Sequence, residues 1–170
     1  MGSKLLVKSS STKLLHVYDS FAGLPEKTRQ DQSPAGHQFK EGELYARKAT
    51  LVQHFRQASL PPPIIHKAWF RDLTSADVPA HIAFAFLDGD FYESIRDSLH
   101  LVEDKLVPGS RIIVDDYQSE ALPGAAKAVD EWLKNTLPSY GSRPVWLSFL
   151  YSSNKFNCGL FSCFLYYTVA

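Results

Sequence analysis

The chain has 170 residues, of which 45% are hydrophobic and 13% aromatic. That is enough apolar surface for one folded domain and too much for a disordered chain. Its 18 basic side chains balance 18 acidic ones, which excludes a long-range field drawing the chain to nucleic acid or an anionic membrane.

The N-terminal stretch MGSKLLVKSSS has too short an apolar run for a signal peptide. Gly2 and Ser3 loosely match a myristoylation start, but Leu6 stands where that signal needs Ser or Thr. LLHVYDS (14–20) then reads as a buried strand ending at Asp19. The polar segment from Glu26 to Gly42 carries Pro34 and Gly36 and is expected to be a mobile surface loop. In ELYARKATLVQHFRQASL (43–60), Leu44, Leu51, Val52 and Phe55 recur at helical spacing. After Pro61-Pro62-Pro63 a second strand is expected over PIIHKAWF (63–70), and a third over HIAFAFLD (81–88). YESIRDSLHLVEDKL (92–106) places Ile95, Leu99, Val102 and Leu106 on one helical face, with Pro108-Gly109 as its stop. RIIVDD (111–116) is the fourth strand. Pro123-Gly124 then opens a helix over AAKAVDEWLKNTL, striped by Val129, Trp132 and Leu133.

The closing run FNCGLFSCFLYYTVA is apolar but shorter than the ~20 residues a membrane span needs, and it carries Asn157 and Gly159. It reads as a buried strand or a non-native end rather than an anchor. Cys158 and Cys163 lie too close together near a chain end for a disulfide framework and lack zinc-site spacing. As plain thiols they fit a reducing cytoplasm. His16, His54, His66 and His81 have no metal-like partner spacing and read as structural.

Strands that alternate with helices imply right-handed crossovers, and hence an α/β, Rossmann-like, mostly parallel sheet with helices on both faces. In such sheets ligands bind beyond the carboxyl ends of the strands. Asp19, Asp88, Asp90, Asp115 and Asp116 all fall at those ends. If the strands ending at Asp88 and Asp115 are neighbours, their carboxylates crowd one edge, and protons or a cation must compensate. An oxygen-only donor set points to a hard divalent ion, Mg²⁺ first and Ca²⁺ or Mn²⁺ next, with Asp88, Asp115 and Asp116 as candidate ligands. Asp90, two residues further on, could take a proton from a hydroxyl acidified by the metal. The plainer alternative is that Asp90 caps the helix FYESIRDSL while Asp115-Asp116 merely end a strand in solvent. Asp19, with Ser20 beside it, is a candidate for contacts with the ribose of a nucleoside cofactor. Trp69 and Phe70 could stack on its purine or simply join the core.

Two other enzyme readings fit Asp88-Gly89-Asp90. A metal-dependent DxD glycosyltransferase would want clustered Lys or Arg near the motif for a diphosphate, and none is present. A phosphatase pair would want a downstream lysine besides the acidic pair that Asp115-Asp116 supplies.

The segments VYDSFAGLPE, AWFRDLT, FLDGDFYESIRDSL, PGSRIIVDDY and PGAAKAVDEW, in that order, resemble the macrocin O-methyltransferase (TylF-like) family. Its members are class I S-adenosylmethionine-dependent methyltransferases of sugar hydroxyls. The resemblance runs from about Leu14 to Trp132. It implies S-adenosylmethionine and Mg²⁺ as cofactors and a small-molecule hydroxyl acceptor, in particular a sugar. By the same resemblance Asp19 matches a ribose-binding acid, Asp88, Asp115 and Asp116 the Mg²⁺ ligands, and Asp90 the general base.

The sequence departs from the family pattern in two places. MGSKLLVKSSSTK holds no E-x-G-x-x-x-G-like segment, where the family has a glycine-rich strand, turn and helix that cradle the cofactor. In the class I sheet that strand lies between those ending at Asp19 and Asp88. Its absence leaves three outcomes: a gap, a substitute strand, or a closed-up sheet. Beyond Val145-Trp146 the sequence also stops resembling the family's closing strands. The expected organisation is therefore a non-conforming segment over 1–13, a partial methyltransferase domain over 14–146 and a divergent apolar tail over 147–170. An N-terminally truncated homologue could be an inactive fragment or a subunit, and exposed edges of an incomplete sheet favour self-association.

Overall fold

The computed structural model describes residues 13–140, 146–149 and 164–168, the side chains over 13–136. The readings on the N-terminal segment and on Cys158 and Cys163 lie outside the described residues. The strands are β1 (Leu15–Asp19), β2 (Ile64–Lys67), β3 (Ile82–Leu87), β4 (Leu106–Val114), β5 (Trp146–Phe149) and β6 (Phe164–Thr168). The helices are α1 (Lys48–Gln57), α2 (Tyr92–Glu103) and α3 (Pro123–Tyr140).

The strands form one sheet in the order β2-β1-β6-β3-β4-β5. The pairs β1–β2 and β3–β4 are parallel, as expected, and β4–β5 is parallel as well. The central place between β1 and β3 is taken by β6, antiparallel to both. Of the three outcomes open to a sheet without the glycine-rich strand, substitution is the one observed. The reversed polarity matters for the site. Tyr18 faces Phe164 and Phe86 faces Leu165, so at the carboxyl ends of β1 and β3 strand β6 begins rather than ends.

Adjacent residues of β1 point to opposite faces of the sheet. Val17 packs with Phe21 and Leu51, bringing α1 onto one face. Tyr18 joins the main core on the other, with Ile82, Ala85 and Leu87 of β3, Ile95, Leu99 and Val102 of α2, and Val129 and Trp132 of α3. Ile95, Leu99 and Val102 of α2 and Val129 and Trp132 of α3, read from the sequence as helical stripes, are thus on the buried faces. At roughly 1.5–3 kcal/mol for each fully buried aliphatic side chain, this face anchors the helices that follow the acidic turns. Polar ties join α2 to α3: Trp132 Nε1 donates to Glu103 Oε2 at 2.7 Å, and the Tyr92 hydroxyl to Glu131 Oε2 at 2.6 Å.

Several local expectations are corrected. Leu44 is not on α1; it sits in a turn at φ 57° and is 39% exposed. The Gly42 amide donates to the Leu24 carbonyl and the Leu24 amide to that of Glu43, so pairing with a distant segment overrides local helical spacing. Leu106 belongs to β4 rather than α2, and Pro108-Gly109 lies within that strand. There the register jumps, with Ile82 opposite Leu106 and Phe84 opposite Arg111. Proline donates no ladder bond, Gly109 takes φ 82°, and the buried Ser110 hydroxyl donates to the Ile82 carbonyl across the irregularity. β2 stops at Lys67, and Phe70 begins a 3₁₀ turn, Phe70–Asp72, capped by Trp69.

The segment from Glu26 to Gly42 is also not the loose loop its polarity suggests. It holds 3₁₀ turns at Arg29–Asp31 and Pro34–Gly36 and buries Asp31, Gly36 and Phe39. Ser33 donates from its hydroxyl to the Glu120 carbonyl, and Phe39 packs with Leu24, Phe91 and Leu122.

Candidate functional site

The paired strands β3 and β4 end in register, Leu87 opposite Val114, and the Asp115 amide donates to the Leu87 carbonyl at 2.9 Å. The condition for crowding the carboxylates is therefore met. After β3 the chain turns through Asp88-Gly89-Asp90 into α2. A Cβ on Gly89 would lie 2.9 Å from the Ser94 Cβ and 3.2 Å from the Ile95 Cδ1, so only glycine lets α2 start this close to the strand end. Asp90 then takes φ 57°, and after β4 Asp116 takes φ 56°. Left-handed backbone is uncommon for residues with a Cβ, and Asp is among those that tolerate it best.

These two reversals bring Asp88, Asp90 and Asp116 together, with one carboxylate oxygen from each inside a 4.8 Å group. Asp90 is buried and the other two are half-buried. Asp115, expected among the ligands, lies outside the group, and its Oδ1 accepts the amide of Asp116. Asp90, expected as a base, lies inside it.

Oxygens around one Mg²⁺ stand ~2.1 Å from the ion and hence at most ~4.2 Å apart. A group within 4.8 Å needs only a small contraction to meet that limit. The donors are all carboxylate oxygens, the set a hard cation prefers. The residues present therefore fit a divalent ion.

Asp90 does not occupy the N-cap position of α2. The N-cap of α2 is Phe91, whose side chain makes no capping bond, and the Tyr92 amide donates at 2.6 Å to Asp31 Oδ1. Asp31 went unnoticed in the sequence. Its signal was Thr28-x-x-Asp31, a capping box in which Asp31 Oδ2 accepts from the Thr28 amide and hydroxyl at 2.9 and 2.5 Å.

The four residues expected to contact a nucleoside also converge. Asp19, Ser20, Trp69 and Phe70 line one crevice, joined by Gly23, Gly89 and Ser94. The Ala68 amide donates to the Asp19 carbonyl at 3.1 Å, which holds the ends of β1 and β2 together. Asp19 Oδ1 accepts the Phe21 amide at 2.7 Å. The crevice measures about 20 Å³, room for about one water, whereas small-molecule sites occupy ~300 Å³ or more. The four side chains meet, but the crevice between them is too small for a nucleoside. A larger cleft of about 570 Å³ lies within the loop, lined among others by Lys27, Gln32, His37, Phe39 and Lys40. Lys27 Nζ stands 5.6 Å from the centre of the Phe91 ring, next in sequence to Asp90.

A family model described as macrocin-O-methyltransferase (TylF) matches residues 1–137. The chain belongs to the macrocin O-methyltransferase (TylF) family. This TylF-family chain is 30% identical over 123 residues to the mycinamicin III 3''-O-methyltransferase of Micromonospora griseorubida, covering 68% of the chain and 47% of that protein. It is 28% identical over 127 residues to the 8-demethyl-8-(2,3-dimethoxy-alpha-L-rhamnosyl)-tetracenomycin-C 4'-O-methyltransferase of Streptomyces olivaceus, covering 71% and 48%. The demethyldecarbamoylnovobiocin O-methyltransferase of Streptomyces niveus is 30% identical over 122 residues, covering 68% and 45%. Among solved structures, that of the O-methyltransferase NovP superposes with a TM-score of 0.59 at 28% identity, over 71% of this chain and 51% of that one. The TylF-family chain thus has the class I methyltransferase fold, and it spans about half the length of the curated relatives it matches. The glycosyltransferase reading of Asp88-Gly89-Asp90 finds no support in these relationships. Among the described residues no helix is long and apolar enough to cross a membrane.

Proposed function

We propose that this chain forms the metal-and-base side of an S-adenosylmethionine-dependent O-methyltransferase site acting on a hydroxyl of a sugar or a similar small molecule. The observation that carries the reading is the convergence of Asp88, Asp90 and Asp116 beyond the carboxyl ends of neighbouring parallel strands. Its kinship with O-methyltransferases supplies the reaction class and, with it, the methyl donor.

In this reading Asp88 and Asp116 hold Mg²⁺. The bound ion would neutralise the crowded carboxylates and acidify an acceptor hydroxyl. Asp90, buried beside them, accepts that hydroxyl's proton, and burial keeps competing water away. Acceptor choice is assigned to the Glu26–Gly42 loop, whose cleft of about 570 Å³ is large enough for a glycosyl group. No step is assigned to Asp19, Ser20, Trp69 and Phe70, because their crevice is too small for the donor as it stands.

A second reading, a non-catalytic methyltransferase-like subunit, is favoured by that crevice and by the antiparallel β6 in the central place. Calorimetric titration with S-adenosylhomocysteine, with and without Mg²⁺, separates the two. Micromolar binding supports the enzyme reading, and no binding supports the subunit.

A further inference from the structure

We propose that Asp31 is a positioning residue for the acidic cluster, fixing Asp90 in its left-handed conformation through the amino end of α2. The inference rests on the reading of Asp88, Asp90 and Asp116 as one functional unit.

The short path from β3 to α2 makes such control effective. β3 is fixed at Leu87 by the sheet, and α2 is fixed from Tyr92 onward by core packing. Between them Asp88–Phe91 must reverse direction, with the Phe91 amide donating to the Gly89 carbonyl at 2.6 Å. The Tyr92 amide lies in the first helical turn, where amides have no intrahelical acceptor. Rotation about the Asp90 backbone would displace this amide through Phe91, so the group that receives it restrains the Asp90 torsions. That group is Asp31 Oδ1, at 2.6 Å and 61 residues upstream.

Asp31 suits the task because it is itself immobilised. It is 1% exposed, and its second oxygen accepts both the amide and the hydroxyl of Thr28. A carboxylate is also the strongest available acceptor at the positive end of a helix. The start of α3 is shaped around the same group. A Cβ at Gly124 would fall 1.9 Å from Asp31 Oδ1 and 2.8 Å from the Tyr92 amide nitrogen. α3 follows the turn that carries Asp116, so one buried carboxylate touches the helices leading out of both acidic turns.

The test uses the isotopically labelled full chain, with NMR shifts of the Asp90 Cα and Cβ, which report its backbone torsions, and Mn²⁺ titration by calorimetry. Asp31→Ala should move the Asp90 shifts away from left-handed values and weaken Mn²⁺ binding by about tenfold. Leu51→Ala, packed with Val17 on the opposite face of the sheet, is the control for loss of stability alone. It should lower the melting temperature while leaving the Asp90 shifts in place and Mn²⁺ affinity within about twofold of wild type. Asp31→Asn keeps one acceptor and should give shifts between those of wild type and Asp31→Ala. Unchanged Asp90 shifts in folded Asp31→Ala overturn the proposal, as does an equal displacement in Leu51→Ala. If Asp31→Ala does not fold, Asp31→Asn decides alone: displaced shifts support the proposal, unchanged ones overturn it. A wild-type chain that binds no Mn²⁺ sinks the metal reading instead, while the shifts of the metal-free protein still decide the role of Asp31.

Discussion

Asp90 and Asp116 share a left-handed backbone, at φ 57° and 56°, and their carboxylates belong to one group within 4.8 Å. Each follows one of two strands paired in register, so two similar chain reversals deliver two acids to one point. Strain repeated at both positions is the pattern expected where local geometry serves a site. Asp116→Gly should relieve it. By urea unfolding, Asp116→Ala should be about 1 kcal/mol less stable than Asp116→Gly, and both should lose metal affinity. Equal stability of the two would argue against a strained turn.

Ligand membership can be tested directly, because the structure groups the acids differently from their order in the sequence. Asp88→Asn should raise the Mn²⁺ dissociation constant by about tenfold or more, whereas Asp115→Asn should leave it within about twofold. Asp90→Asn should remove turnover while part of the metal affinity remains, as expected for a base beside the ion. Calorimetry on the three variants, with activity measured on any accepted hydroxyl substrate, checks all three outcomes.

The packing of Asp31 against α3 predicts a severe effect from a small substitution. Gly124→Ala would force a methyl group into the carboxylate at a nominal 1.9 Å. The site must then move or break a charge-assisted hydrogen bond, at a cost of about 2–4 kcal/mol. Urea unfolding of this variant should show a clear drop in midpoint at unchanged slope.

A pH effect is expected from the sheet face opposite the α1 packing. His16 Nδ1 lies 3.0 Å from His66 Nε2, and the Tyr18 ring stacks on His66 with centroids 4.2 Å apart. Burial lowers the pKa of both histidines; repulsion from His66 adds at His16, while at His66 the attraction of Asp77 opposes the shift and Lys48 adds to it. Between the lowered folded values and the ordinary 6.5, the unfolded chain binds more protons than the folded one. Stability then rises with pH. It is fully present above pH 6.5 and is lost as the pH falls through the folded values. Asp77, whose pKa is lowered by the hydroxyl and amide of Thr74, loses its contribution only below the ordinary carboxylate value of 3.8, a separate window. Melting temperatures at successive pH values should fall on the acid side of 6.5, and His66→Gln should flatten that limb. A wild-type curve that is flat there would refute the effect.

Apolar periodicity and acidic strand ends alone located β1, β3, α2 and α3, and drew Asp19, Asp88, Asp90, Asp115 and Asp116 to one edge of a parallel sheet. These features are legible because they are local: a strand or helix face repeats every few residues, and the carboxyl end of a strand is a fixed place in a parallel sheet. Nucleoside-contact candidates from two separate strands, Asp19 and Ser20 with Trp69 and Phe70, met in one crevice for the same reason. Tertiary structure decided the rest. Backbone reversal at Asp90 and Asp116 turned Asp90 into the acidic group and left Asp115 outside it, a rotation that no residue spacing encodes. The cap of α2 comes from Asp31 across 61 residues of chain, and β6 enters the centre of the sheet against the direction of its neighbours. Both depend on which distant backbone groups find partners once the core has closed.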